Sequence, residues 1–200
     1  MGMDEEVLCV PEKLIQDLGA FEGFQPQVDR YLPELLKTSN QCFLARRVCE
    51  TDPSYKQLIP YVLMHYVKDG EPFLFQYVRG SGQGEKRLHA LRSVGIGGHI
   101  STEDTSGSDL YRTGMARELD EEVIADESVE APIVGLIYDP SNDVGKVHLG
   151  VVHLMTLSGP TVRAREADLL EAGFMPLQQI LAEQDRLETW SRLCVQALFV

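Results

Sequence analysis

Apolar positions along the chain fall into stretches of helical spacing and compact β-rich runs. Over residues 109–124 they recur at helical spacing. There Met115, Ala116, Leu119 and Val123 gather within roughly a third of a turn at about 100° per residue. That stripe predicts a helix with one face turned to a sheet. Shorter helices are predicted over 11–18, stopped by Gly19, and over 28–37, where Tyr31, Leu32, Leu35 and Leu36 supply the apolar face. The stretch from Leu177 onward reads as helical in two pieces. β-rich runs occupy 61–67 and 72–78, with Lys68-Asp69-Gly70-Glu71 between them as a hairpin loop. Further strands are predicted over 42–48, over 91–100 (which carries Gly97-Gly98 near its end), and over 132–138 and 147–157. The last two are divided by the turn-rich Asp139-Pro140-Ser141-Asn142-Asp143. Residues 101–108 form a polar loop. Strands, one helix, more strands and then helices predict a mixed-sheet sandwich of the α/β or α+β class.

Asp52-Pro53-Ser54 is a turn signal, and the pattern changes soon after it. Residues 1–57 therefore read as an N-terminal extension and 58–200 as the principal domain. The apolar helical faces of residues 1–40 have no evident core of their own. They are expected to pack on the sandwich or on a second subunit, as in a homodimer.

Composition narrows the function classes. The chain has 200 residues, 44% of them hydrophobic, enough for a sizeable core. Its formal net charge of -13 argues against a general nucleic-acid binder, which needs a basic footprint. A small phosphorylated ligand stays compatible, because a divalent metal held by carboxylates supplies the missing positive charge. Cys9, Cys42, Cys49 and Cys194 form no CxxC pair and read as buried thiols in a reducing compartment. The acidic N-terminus lacks the basic and apolar regions of a secretory signal. No apolar run approaches the roughly 20 residues that span a bilayer. A cytoplasmic protein without membrane association is the expectation.

Candidate chemistry concentrates on the helix predicted over 109–124. Glu118 and Glu122 are four residues apart and share one flank, with Glu121 one step further round. Three like charges on adjacent turns repel, so a helix gains nothing from them alone. A divalent cation removes that penalty, and hard ions such as Mg²⁺ take such oxygen ligands together with substrate phosphate. Arg117, four residues before Glu121, can pair with it and hold the carboxylate in position. The run Gly80-Ser81-Gly82-Gln83-Gly84, trailed by Lys86 and Arg87, lacks the GxxxxGK[ST] order and reads as a strand connection. Arg79, Arg92 and His99 are secondary candidates for contact with substrate. Glu166 is a candidate general base outside the helix. His148 and His153 fall in a predicted strand and read as packing residues.

The segment from Gly97 to Val123 resembles the box of the Nudix hydrolase family, Gly-x5-Glu-x7-Arg-Glu-aliphatic-x-Glu-Glu-x-Gly-aliphatic. The match is residue by residue at Arg117, Glu118, Leu119, Glu121 and Glu122, and Gly97 and Glu103 keep the x5 spacing. Thirteen residues rather than seven separate Glu103 from Arg117, which calls for a six-residue insertion. Asp109 has the right distance from Arg117 but lies eleven residues beyond Gly98. Ile124 stands where the family usually has Gly, a position that shapes the turn after the helix. Leu44-Ala45-Arg46-Arg47, Tyr55 to Tyr61, Gly95 to Ile100 and Val147-His148-Leu149-Gly150 look like a poorly characterised Nudix subgroup.

The resemblance implies an α/β/α sandwich around a mixed sheet. It also implies cleavage of a small-molecule diphosphate, a nucleoside diphosphate linked to another moiety, with Mg²⁺ or Mn²⁺. By the same resemblance Glu118 and Glu122 are the principal metal ligands, and Glu121 is a ligand or the water-activating base. The Gly97 or Gly98 carbonyl completes the shell. A non-catalytic Nudix-fold ligand-binding or regulatory module is the alternative, and the intact acidic set favours the enzyme.

Overall fold

The computed structural model describes residues 4–80, 91–126 and 129–200. Its chain divides into two units. One holds the residues up to Tyr61 with Gly97–Arg117 and Ile133–Val152; the other holds Val62–Ile96, Glu118–Pro132 and His153–Val200.

The first unit opens with β1 (Glu6–Pro11) and α1 (Glu12–Gly19). The helix stops where Gly19 takes a φ of +112°, a conformation that costs glycine little. After β2 (Gly23–Gln25) and α2 (Val28–Leu35), β3 (Cys42–Ala45) pairs antiparallel with β1 in the register Leu8↔Phe43, and a single turn of helix, α3 (Arg46–Cys49), follows. β1 also pairs with the start of β4 (Tyr55–Lys68), in the register Val10↔Lys56. The sheet order runs from β4 through β10 (His148–Thr156) and β9 (Ile133–Tyr138) to β2. Leu8, Val10, Ile15, Tyr31 and Leu35, all from the N-terminal segment, share one core cluster with Leu58, Ile100, Tyr111, Leu136, Leu149 and Val151. Each such side chain contributes about 1.5–3 kcal/mol over its exposed state. The buried Lys56 ammonium is neutralised by Glu12 Oε2 at 2.8 Å and donates to the Pro53 carbonyl at 2.7 Å.

In the second unit β5 (Glu71–Arg79) lies between the end of β4 and β12 (Leu169–Pro176), antiparallel to both. Tyr66 stacks on Phe73, and Phe174 meets Tyr66 and Phe75 edge-on. The short β6 (Arg92–Ser93) pairs with β5, and β7 (Gly95–Gly97) follows it. β8 (Val123–Ala125) pairs antiparallel with β11 (Val162–Ala164). The chain closes with α5 (Leu177–Ala182) and α6 (Thr189–Phe199). The α6 N-terminus is capped by Glu188, whose carboxylate accepts from the Trp190 and Ser191 amides. The long helix α4 (Leu110–Glu122) continues from the first unit into the second.

This is the mixed α/β class that the hydrophobic pattern predicts. Its local departures have physical causes. The strand expected over 91–100 is broken at Val94 into β6 and β7, and the one expected over 42–48 gives way to helix at Arg46. β12 carries an irregularity between Leu170 and Gly173, with Glu171 at a φ of +52°, so its side chains do not alternate as a regular strand's would. The cysteines are all free, yet they are less scattered than their spacing suggests. Cys9 and Cys42 are paired in the β1–β3 register, and Cys49 Sγ lies 3.2 Å from Cys9 Sγ. No helix among the described residues is long and apolar enough to cross a membrane.

Candidate active site

The helix that carries the acids is anchored at both ends. At its start Asp109 Oδ1 accepts from the Arg112 amide at 3.0 Å, an N-cap contact. Before it, Ser101 and Asp104 form a capping box that opens a 3₁₀ turn over Thr102–Ser106. Asp104 is 2% exposed, and its carboxylate takes Arg117 in a forked contact, Nε to Oδ1 at 2.8 Å and Nη2 to Oδ2 at 3.1 Å. The same Nη2 donates to the His99 carbonyl at 2.9 Å. Burial by itself would raise the Asp104 pKa. The hydrogen bond from Arg117, the Ser101 amide and the Arg117 charge outweigh it and hold the carboxyl below its ordinary value. Gly114 permits this approach: a Cβ there would sit 2.8 Å from Asp104 Oδ2 and 2.9 Å from Ile100 Cγ1.

The acid that braces Arg117 is thus neither Glu103, which is exposed, nor Asp109, which caps the helix and pairs with Arg112. It is Asp104, which sequence reasoning missed. Counting the x5 spacing from Gly98 instead of Gly97 lands on it.

The acids themselves belong to the second unit. Glu118 is buried, Glu121 is exposed and Glu122 is half-buried. Among the described residues, Glu122 Oε2 is buried without a hydrogen-bond partner. Burial pushes the Glu122 pKa up to about 8, with repulsion from Glu166, Glu118 and Glu121 adding to it and the Arg79 charge opposing it. Glu166 comes beside Glu122 through the backbone, because the Glu122 carbonyl accepts from the Arg165 amide at 2.8 Å and the Glu166 amide at 3.2 Å. Just beyond, Ile124 pairs with Arg163 in the β8–β11 ladder, so the chain leaves the helix directly in extended form. Arg79, the last residue of β5, is half-buried. Glu122, with its orphaned buried oxygen, thus feels the charges of three further carboxylates and of Arg79, and carboxylates so grouped are an all-oxygen donor set of the kind hard divalent cations take.

The other candidates have defined surroundings. Arg92 is buried and donates to Gln76 Oε1, with Glu183 Oε2 at 3.6 Å and Glu171 Oε2 at 3.9 Å, a contact set that ties β6 to its neighbours. Gly98 is half-buried, follows β7 and belongs to the first unit. His99 Nε2 lies 3.3 Å from His148 Nε2, and burial, with the charges of Arg46, His148 and Arg117, holds His99 well below the usual histidine pKa. His153 donates from Nδ1 to the Ala131 carbonyl at 2.7 Å, a satisfied packing histidine. Lys86, Arg87 and the Ser81–Gly84 part of the glycine-rich run lie outside the described residues.

No family model matches the chain. Protein YmaB of Bacillus subtilis (strain 168) is 32% identical over 207 residues, covering 98% of each chain. The crystal structure of Tm1382, assigned to the Nudix hydrolases, is similar with a TM-score of 0.77 and 28% identity, over 97% of this chain and 98% of that one. The Nudix domain of Shewanella oneidensis NrtR, solved with ADP ribose, shares the fold at a TM-score of 0.53 and 17% identity, over 70% of this chain and 84% of its own.

Proposed function

The chain belongs to the Nudix hydrolase family, and from that premise we propose that it hydrolyses a small-molecule diphosphate of the nucleoside diphosphate-X type, using Mg²⁺ or Mn²⁺ held by Glu118, Glu121 and Glu122. The observation that carries this reading is the orphaned, buried Oε2 of Glu122 among like charges. A lone buried carboxylate oxygen is costly, and a divalent cation is the partner that satisfies it while cancelling the repulsion. The ADP ribose bound by the NrtR domain is a diphosphate of the proposed class.

Bound there, the cation would neutralise the diphosphate and lower the pKa of the attacking water. The residues of the chain do the rest. Glu118 and Glu122 present oxygens from one flank of α4, and the more exposed Glu121 offers a third. Glu166, held next to Glu122 by its own backbone amide, is the carboxylate suited to take the proton from water. Arg79, whose charge acts on Glu122, would meet a phosphate oxygen. Arg117, clamped by Asp104 and the His99 carbonyl, is a positioning residue that fixes the helix.

The test is hydrolysis of a panel of nucleoside diphosphate derivatives with Mg²⁺ and with Mn²⁺, wild type beside Glu122→Gln. Turnover by the wild type alone is expected. Full activity in Glu122→Gln, or no turnover across the panel with either metal, would refute the proposal.

A further inference from the structure

The first unit holds a second group of metal-ligating side chains that shares no residue with the acids of α4. Glu50 caps the C-terminus of α3, His99 lies two residues past β7, and His148 is the first residue of β10. One ligand atom from each lies within 4.8 Å of the others. The two imidazoles face each other through Nε2 at 3.3 Å. Two nitrogens each about 2.0–2.1 Å from a tetrahedral Zn²⁺ are themselves roughly 3.3–3.4 Å apart, so the spacing is that of two ligands on one ion.

The surroundings suit ligation. His148 donates Nδ1–H to the Val144 carbonyl at 2.7 Å, which fixes its proton there and makes Nε2, which faces His99, the unprotonated nitrogen. A carbonyl behind the imidazole is the usual outer-shell support of a ligating histidine. Arg46 Nε donates to Glu50 Oε1 at 3.2 Å, which orients the carboxylate and pairs the Arg46 charge, and the other guanidinium near His99, that of Arg117, is paired with Asp104. We propose that Glu50, His99 and His148 form a binding site for a borderline divalent metal, Zn²⁺ in preference to Mg²⁺, with a fourth position open to water. Imidazole nitrogen is what separates this site from one for a hard ion. The ion would fasten the segment after α3 to the turn after β7 and to β10, so its first effect is on stability. The inference stands apart from the hydrolase reading.

The test uses the full chain stripped with chelator and titrated with Co²⁺, whose visible d–d bands report a tetrahedral site, and then with Zn²⁺. One equivalent of Co²⁺ is expected to develop those bands, to resist excess Mg²⁺ and to be displaced by Zn²⁺. Glu122→Gln should retain the bands, and His148→Gln should bind about tenfold or more weakly. Absence of the bands, equal affinity in His148→Gln, or loss in Glu122→Gln overturns the site. A thiolate-to-cobalt charge-transfer band overturns it too, because it would move the ion to Cys9, Cys42 and Cys49. Should His148→Gln fail to fold, imidazole ¹⁵N spectra of the wild type decide. An Nε2–H of His99 still donated to His148 at equimolar Zn²⁺ is incompatible with the site, whereas loss of that proton with shifts at both Nε2 atoms supports it.

Discussion

Glu122→Gln separates the fold from its chemistry. The substitution keeps side-chain length and nearly all of the helix propensity, and deletes one negative charge. In the metal-free protein, burial and then Glu166, Glu118 and Glu121 raise the Glu122 pKa from 4.5 to about 8. The folded state therefore holds this proton more tightly than the unfolded chain. The stability linked to Glu122 is fully present below about pH 4.5 and is lost as pH rises to about 8. At about 1.4 kcal/mol per pH unit, the loss is about 3 kcal/mol at pH 7 and about 5 kcal/mol above pH 8.

A glutamine carries no such pH-dependent cost. Metal-free Glu122→Gln should be more stable than wild type at pH 7–8, by up to the loss just given, and the advantage should shrink below about 1 kcal/mol near pH 5. For a chain of this size about 3 kcal/mol corresponds to roughly 6–12 °C in Tm. Mg²⁺ should close most of that gap at pH 7, because the wild type gains by mass action and the variant gains far less: at 100 times Kd the gain is about 2.7 kcal/mol, against a loss of about 3 kcal/mol. The assay is a set of urea and thermal unfolding curves from pH 5 to 8.5, with chelator and with millimolar Mg²⁺. If the metal-free variant is less stable than wild type at pH 7.5, the carboxylate is structural and the reasoning fails.

Three further outcomes are expected. Arg117→Ala leaves the buried Asp104 without its forked partner and should cost about 3 kcal/mol in urea unfolding; it should also remove stability that the depressed Asp104 pKa supplies above about pH 4 and that wild type loses as pH falls through the folded value. Gly114→Ala should destabilise by about 1–3 kcal/mol in thermal unfolding despite alanine's helix preference, because its Cβ would press on Asp104 and Ile100. Glu166→Gln should shift the pH dependence of metal-free stability toward lower pH by relieving Glu122, and should lower kcat by about 10²–10⁴ if Glu166 is the base; an unchanged pH profile would disconnect the two carboxylates.

The parts of the fold legible in the sequence are the long ones. α4 by its helical spacing, and the β4–β5 hairpin and β10 by their unbroken β-rich runs, extend over enough residues to fix their type. β2, β8 and β11 are three residues each, too short for any period, and exist because a partner strand pairs with them. The box residues are likewise local, since Glu118 and Glu122 share a flank by helix geometry alone. What surrounds them is not local. Asp104 reaches Arg117 only because the 3₁₀ turn folds back on α4 at Gly114. His99 and His148 are 49 residues apart, and no spacing rule joins them. Glu166 could be noticed as an acid, but its place beside Glu122 depends on a backbone contact to which side-chain patterns are blind.

That backbone contact also explains the departure at Ile124. A glycine after the box helix gives the chain freedom to turn out of the helix. Here the turn is made by pairing instead: β8 begins at Val123, immediately after the last helical residue, and Val123↔Ala164 and Ile124↔Arg163 form its ladder with β11. A β-branched residue is at home in that extended conformation, and no positive φ is required of it. The continuation of β11 then returns the Arg165 and Glu166 amides to the Glu122 carbonyl, at the helix end where unpaired carbonyls need donors. One short ladder therefore replaces the glycine turn, caps α4 and sets Glu166 against Glu122. The exit geometry and the electrostatics of the acidic group are the same piece of structure, and the isoleucine follows from the ladder that builds both.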